Sequence, residues 1–394
     1  MKQAYIVAGY RTAVGKAKRG GLRFTPPVDM AANVIDHLLA SVPQLNPKMV
    51  DDLIVGNAIP EAEQGLQMAR WIAIKSKALP NTVGGVTVNR YCGSGVETIS
   101  QAIAKVSTGF ADVIIAGGVE SMSLVPTVGY KTVPNYDIAT EHPEYYIGMG
   151  LTAEEVATEY KIGREEQDEF SLNSHKKALN AIKEGYFKDQ IVPIEVNEVY
   201  MDNGEKKERT YTVDTDEGPR ADTSMEALGR LRPAFKMGGS VTAGNSSQTS
   251  DGAAFVIVMS EDKVKELGVT PIARMVANAS IGVNPRIMGI GPVDAMPKAL
   301  KQVDLKFDDL DLIELNEAFA AQSLAVLKNS PDLDPAKVNI NGGAIALGHP
   351  LGCTGTKLTV QLLSDLKRTG GKYGMVTACI GGGQGIAGVY ELLN

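Results

Sequence analysis

Cysteine is scarce in this sequence: three residues among 394, at no regular spacing. So few thiols argue against a disulfide framework and make a reducing compartment the default. No apolar run reaches the roughly 18 residues that a membrane span requires. An excess of positive charge is missing as well. Lys and Arg number 39 against 46 Asp and Glu, a formal net charge of −7. That balance argues against a broad grip on nucleic acid or on an anionic membrane surface, while leaving room for a local basic pocket. Only four histidines occur, at 37, 142, 175 and 349, and no C-x-x-C pair exists, so nothing in the spacing builds a metal site. Walker-type phosphate loops are absent too. Charged residues make up 22% and hydrophobic ones 44%, the composition of a folded chain. At about 150 residues per domain, the length suits two or three domains.

Glycine is what abounds, with 42 residues against a usual share of about 7%. Residues 1–9 read as a strand, too close to the start to form a signal or transit peptide. The closing Glu391-Leu392-Leu393-Asn394 carries no organelle address. A soluble cytoplasmic protein is the expectation, with its glycines still to be explained.

Short β-rich runs alternate with helical apolar spacing. Segments 4–8, 52–56, 86–89 and 112–116 are predicted strands, and 28–39, 67–76 and 96–108 predicted helices. Such alternation indicates an α/β architecture. A strand at 273–279 and a helix at 293–303 follow later. There, Asp311-Leu312-Ile313-Glu314-Leu315-Asn316 resembles Asp52-Leu53-Ile54-Val55-Gly56-Asn57, with Asn316 lying 259 positions after Asn57. Gly352-Cys353-Thr354-Gly355 resembles Cys92-Gly93-Ser94-Gly95, with Gly355 lying 260 positions after Gly95. Two matches at nearly one offset predict two copies of one α/β unit. Between the copies charge density rises, with a capping-box pattern at Thr152-Ala153-Glu154-Glu155, a charged helix at 164–183 and a hairpin tip in the run Asn203-Gly204-Glu205-Lys206-Lys207-Glu208. The expected organisation is an N-terminal half from 1–120 plus 241–270, an inserted loop domain at 121–240, and a C-terminal half at 271–394. The chain from 241 to 258 is expected to return as a strand of the first half.

Cys92 lies between the strand 86–89 and the helix that starts near Gly95. A strand-to-helix turn exposes its side chain, Gly93, Ser94 and Gly95 let the backbone tighten, and a helix N-terminus favours thiolate. The competing reading is a packing cysteine. His349 sits in the glycine-rich stretch Asn341-Gly342-Gly343-Ala344-Ile345-Ala346-Leu347-Gly348-His349-Pro350. Pro350 holds it extended and the glycines admit a ligand; a structural histidine is the alternative. Cys379 closes a predicted strand at 375–378 and precedes Ile380-Gly381-Gly382-Gly383, a run that can aim backbone N–H groups at an oxyanion. The G-x-G-x-x-G match at 383–388 is rejected, because the six residues after it leave no room for a nucleotide-binding helix. Asn316 follows a predicted strand of the second unit and supplies a donor, whereas Cys353 reads as structural and His37 as a boundary residue.

Four segments together resemble the thiolase family over essentially the whole chain. They are Asn89-Arg90-Tyr91-Cys92-Gly93-Ser94-Gly95, Asn316-Glu317-Ala318-Phe319, 342–352 around Gly348-His349-Pro350, and Cys379-Ile380-Gly381-Gly382-Gly383. The resemblance implies the thiolase fold: two duplicated α/β halves in a five-layered α-β-α-β-α sandwich with an inserted loop domain. It implies an acyltransferase acting on acyl-CoA, with coenzyme A as co-substrate, no permanently bound cofactor and no metal. A homodimer or dimer of dimers follows from the family, with no nucleic acid or membrane partner.

By the same resemblance, Cys92 attacks the 3-keto carbon, His349 takes its proton, and Cys379 first protonates the departing enolate and then deprotonates CoA. One oxyanion site is made by His349 with a water held by Asn316, the other by the backbone N–H groups of Cys92 and Gly381. Arg220 and Ser247 are expected to contact CoA, and Phe319 and Met149 to line the channel. Thiolases that make acetoacetyl-CoA commonly carry His-Met-Gly where this sequence has Gly148-Met149-Gly150, and losing the imidazole widens the acyl pocket. A degradative 3-ketoacyl-CoA thiolase of fatty-acid β-oxidation is therefore favoured. The alternatives are an acetoacetyl-CoA thiolase condensing two acetyl-CoA, a ketosynthase-like enzyme, a Cys–His hydrolase, and a non-catalytic lipid carrier on the same scaffold.

Overall fold

The computed structural model describes residues 2–393. Its strands are β1 (Ala4–Thr12), β2 (Gly15–Lys16), β3 (Asp52–Gly56), β4 (Val86–Val88), β5 (Val113–Ser121), β6 (Ile191–Val192), β7 (Ile194–Asp202), β8 (Glu205–Val213), β9 (Ser250–Ser260), β10 (Ala273–Gly282), β11 (Leu312–Leu315), β12 (Tyr373–Ile380) and β13 (Gln384–Leu392). Nine of them run in the order β11-β12-β13-β10-β1-β9-β5-β3-β4, with β2 and β6 attached at the side. Within that path the order β3-β5-β9-β1 recurs as β11-β12-β13-β10. Each series has one parallel pairing followed by two antiparallel ones. The registers repeat as well: Ile54 pairs with Ala116 and Ile313 with Met375, so both partners move by the same 259 positions. The duplication inferred from two short matches is thus present in the strand pairing. Within the sheet the two halves join where β1 meets β10, Ile6 pairing with Ala273.

Both faces of each half are buried, so its strands are apolar without alternation. In β5, Val113 and Ile115 enter one core while Ile114 and Ala116 enter another. The outer core of the first half lies under the helices Pro27–Ala40 and Met68–Lys75. A central core holds the helices Ser94–Ser107 and Leu351–Thr369 between the halves. A third lies beneath Gly291–Lys301, around Met296, Ile313 and Val389. Three cores interleaved with helices and strands make the five layers α-β-α-β-α.

The two central helices touch through their backbones. A Cβ at Gly95 would lie 2.3 Å from the Thr356 nitrogen, and one at Gly355 would lie 2.4 Å from that of Val96. These are the two glycines that the sequence offset had paired.

Between β5 and β9 the chain forms the helices Met149–Glu159 and Arg164–Lys183 and the hairpin β7–β8. The hairpin turns at Asn203 (φ 51°) and Gly204 (φ 85°), the left-handed pair expected of a two-residue turn. Two local expectations fail. Thr152 is no cap: it lies inside the helix Met149–Glu159 and donates back to the Met149 carbonyl at 2.7 Å. Glu155, the other half of the pattern, pairs instead with Arg286 at 2.8 Å, a tertiary use that the local pattern cannot reveal. The strand expected from 241 begins only at Ser250. Before it, Asn245 Oδ1 takes the Thr242 N–H at 2.7 Å, a local bond that competes with strand pairing.

Gly355→Val forces the central helices apart and should cost about 3 kcal/mol of stability. Gly163→Ala, where a Cβ meets nothing within 4 Å, serves as the control in chemical denaturation. Equal stability of the two variants would contradict the backbone contact.

Candidate active site

Cys92 sits in the turn Tyr91–Gly93, between β4 and the helix Ser94–Ser107. Tyr91 adopts φ 44°, a left-handed conformation that a bulky residue rarely takes. Ser94 holds the turn, accepting from the Arg90 N–H at 2.9 Å and donating to the Tyr91 carbonyl at 2.7 Å. Cys92 is left 8% exposed. The second half brings His349 to it. Gly348 before it has φ 94°, and a Cβ there would lie 2.3 Å from Ser250 Oγ, so only glycine fits. The His349 backbone N–H donates to the Gln248 carbonyl at 3.1 Å.

His349 Nε2 lies 3.2 Å from Cys92 Sγ and 3.3 Å from Asn316 Nδ2. Its Nδ1 lies 2.6 Å from Thr354 Oγ1, whose hydroxyl donates to the Pro350 carbonyl at 3.0 Å. With the threonine proton engaged there, Thr354 accepts from Nδ1–H. Nε2 therefore presents its lone pair to the thiol.

Burial governs the electrostatics. It pushes the Cys92 thiol up to about 11, against the N–H groups of Gly381 and of Cys92 itself, which pull it down. Burial, followed by the charge of Lys357, lowers His349 to about 3. The ligand-free pair is therefore a neutral thiol and a neutral imidazole, and the helix N-terminus expected to favour thiolate is outweighed by desolvation. Cys379, fully buried on β12, is pushed upward by burial and then by Cys92. Cys353 is also buried, within the helix Leu351–Thr369, and is raised to about 12.

A thiol facing an unprotonated imidazole, with two N–H groups at the sulfur and a second thiol alongside, is equipped for acyl transfer. Family models agree. "Thiolase, N-terminal domain" matches residues 4–262 and "Thiolase, C-terminal domain" matches 269–392. The chain belongs to the thiolase family. It is an acyltransferase, and a 3-ketoacyl-CoA thiolase of Bacillus subtilis (strain 168) is 51% identical over 393 residues, covering 100% of both chains. A probable acetyl-CoA acyltransferase of Staphylococcus aureus (strain COL) is 44% identical over 402 residues, covering 99% of each. The crystal structure of the Bacillus anthracis acetyl-CoA acetyltransferase superposes with a TM-score of 0.88 at 42% identity, covering 100% of this chain and 99% of that one.

The remaining candidate residues of this thiolase fall into two groups. Met149 lies against the glycine run that follows Cys379, its sulfur 3.5 Å from where a Gly381 Cβ would be. Phe319 is buried edge-on against Phe235, with ring centroids 6.0 Å apart. The Ser247 N–H donates to the Ala318 carbonyl at 2.9 Å, tying its loop to the segment after Asn316. Arg220 stands apart and exposed, its N–H on His175 Nδ1 at 3.2 Å. It borders a cavity of about 120 Å³ that His175, Leu231, Gln248 and Ile345 also line. Gln248 connects the two groups: its carbonyl receives His349, while its side chain donates to the Gly218, Ile345 and Ala346 carbonyls.

Three functional positions escaped the sequence reading: Thr354, Gln248 and Glu120. The buried Glu120 carboxylate accepts from the N–H groups of Ala58 and Gly352, each at 2.8 Å, and from Gln64 Nε2 at 2.8 Å. It thereby pins the start of the helix that carries Thr354 to the first half. Glu120 lies 259 positions before Cys379, so the repeat offset itself could have pointed to it. Among the described residues, no group of three or more His, Cys, Asp or Glu is placed to hold a metal ion, and no helix is long and apolar enough to cross a membrane.

A neutral pair predicts how Cys92 reacts without substrate. Its alkylation by iodoacetamide, followed by peptide mass spectrometry, should accelerate about tenfold per pH unit from 7 to 9, tracking a thiolate fraction far from saturation. A rate already level above pH 6 would instead mean a preformed thiolate–imidazolium pair.

Proposed function

We propose that this thiolase is a 3-ketoacyl-CoA thiolase that cleaves its substrate with CoA through an acyl-Cys92 intermediate, in fatty-acid β-oxidation. The observation that carries the chemistry is the 3.2 Å contact between Cys92 Sγ and the unprotonated Nε2 of His349. In this reading the Cys92 proton passes to His349 as the sulfur attacks the 3-keto carbon, so charge appears only with substrate in place. The bond between C2 and C3 breaks and its electron pair leaves as the thioester enolate. Cys379 gives its proton to C2, releasing acetyl-CoA. The Cys379 thiolate then takes the proton of incoming CoA, whose sulfur removes the acyl group. The Cys92 sulfur leaves and recovers its proton from His349, closing the cycle.

Two sets of donors suit the two developing charges. His349 and Asn316 serve the enolate oxygen, and the N–H groups of Cys92 and Gly381 serve the tetrahedral centre on the acyl-enzyme. Loss of one such donor typically slows a reaction by about 100- to 1000-fold. Arg220, Ser247 and the cavity shared with Gln248 are assigned to CoA, and Met149 and Phe319 to the acyl and pantetheine channel. Residues 121–240 form the inserted module, which supplies Arg220 and Met149. The implied homodimer would draw on Leu66, Trp71 and Ile74, exposed on the side of edge strand β4.

Gly148 supports the degradative direction. It is exposed, and a β-carbon there would meet nothing within 4 Å; in this reading the missing side chain leaves room for a longer acyl chain. The 51% identical relative carries the name 3-ketoacyl-CoA thiolase. The alternative, acetoacetyl-CoA formation from two acetyl-CoA, draws support from the name of the 42% identical structure.

Steady-state thiolysis across chain lengths separates them. The eight-carbon 3-ketoacyl-CoA should be cleaved with kcat/KM at least equal to that of acetoacetyl-CoA, and Gly148→His should reduce the longer substrate selectively by about tenfold. Strong preference of the unmodified enzyme for acetoacetyl-CoA would overturn the degradative reading.

A further inference from the structure

The helix Leu351–Thr369 carries a second polar row that the proposed reaction does not use. Lys357, three residues after Thr354, is only 2% exposed. Its Nζ donates to Gln361 Oε1 at 2.9 Å. Gln361, also buried, donates from Nε2 to Glu314 Oε2 at 3.1 Å. The amide is thus oriented by the Lys357 amine at its oxygen and the Glu314 carboxyl at its nitrogen; burial and then Asp365 raise that carboxyl, and burial lowers Lys357. Glu314 belongs to β11 and precedes Asn316 by two residues. In extended chain the two side chains leave on the same side, the side on which Leu312 enters the central core.

This chain links the two supports of His349. Thr354 holds Nδ1 from the helix, and Asn316 meets Nε2 from the end of β11. Helix and strand are separate elements, so the 3.3 Å contact between Asn316 and His349 depends on their relative placement. Among the described residues, the bond from Gln361 to Glu314 is the one side-chain hydrogen bond between that helix and β11. Burying polar groups costs free energy even when they are hydrogen-bonded, and apolar residues of similar size would often be as stable. What a directional hydrogen-bonded chain adds is a fixed register between two elements.

We propose that Lys357, Gln361 and Glu314 are positioning residues that set Asn316 against His349 for carbon–carbon bond cleavage. The proposal rests on the reading above that this pair receives the enolate. A misplacement of 1 Å at a reacting centre can cost about 100-fold in rate.

The test compares two reactions of the full-length enzyme. One is thiolysis of acetoacetyl-CoA. The other is exchange of isotopically labelled CoA into acetyl-CoA, which passes through acyl-Cys92 but forms no enolate. Gln361→Met and Glu314→Met should each lower thiolysis kcat by about 10- to 100-fold, with KM little changed, while exchange stays within about threefold. Glu314→Gln, whose amide oxygen still accepts from Gln361, should keep most of the thiolysis activity. Asn316→Ala provides the reference and should show the same split. Equal losses in both reactions, or no loss, in Gln361→Met or in Glu314→Met would overturn the positioning role. So would failure of both variants to fold, since the chain would then be purely structural. If Asn316→Ala itself shows no split, the reading of the enolate site fails instead.

Discussion

Everything at the site depends on how closely the two central helices approach. Gly95 and Gly355 let their backbones touch, with no room for a β-carbon on either side. Each helix begins beside one member of the reactive pair. The Cys92 turn leads into Ser94–Ser107, and Leu351–Thr369 carries Thr354, which grips His349. A gap of even one methyl group between the helices would remove the 3.2 Å contact between sulfur and imidazole. Duplication solves this geometric problem economically, because two copies of one unit set equivalent helix starts face to face.

From that symmetric frame the two halves diverge in chemistry. The place of Cys379 in the second half is taken by Glu120 in the first, and Asn57 answers Asn316. Glu120 accepts from Asn57 Nδ2 at 3.1 Å and from the Gly352 N–H, so one strand end became a clamp while the other kept a thiol. The repeat therefore contributes scaffold on one side and reactive groups on the other. Burial then sets the resting state: a thiol raised to about 11 beside a histidine lowered to about 3 stays uncharged. Charge separation is deferred until a substrate fills the site, where the donors around it become effective.

Much of this was legible from residue patterns, and the exceptions share a cause. The strand Asp52–Gly56 and the helix Arg164–Lys183 match their predicted bounds, because apolar runs and helical spacing are local signals. Cys92, His349 and Cys379 were found through the glycines around them, which answer to backbone geometry at a turn or strand end. Thr152 misled because the helix begins earlier, at Met149, and Glu155 pairs with Arg286, 131 residues away; a local capping pattern carries no trace of such a partner. Thr354, Gln248 and Glu120 were missed for the same reason. Their side chains matter through what folding brings to them. The direction of the Cys92 shift also reversed expectation, since a sequence displays a helix start but not the depth at which it lies.

The central claim is that Cys92, with His349 as its base, becomes the acylated residue. Rapid acid quenching after mixing the enzyme with acetoacetyl-CoA, followed by peptide mass spectrometry, tests it most directly. The account predicts an acetyl adduct on the peptide containing Cys92 that disappears when CoA is added. An adduct on Cys379 or Cys353, or turnover with no adduct at all, would contradict it.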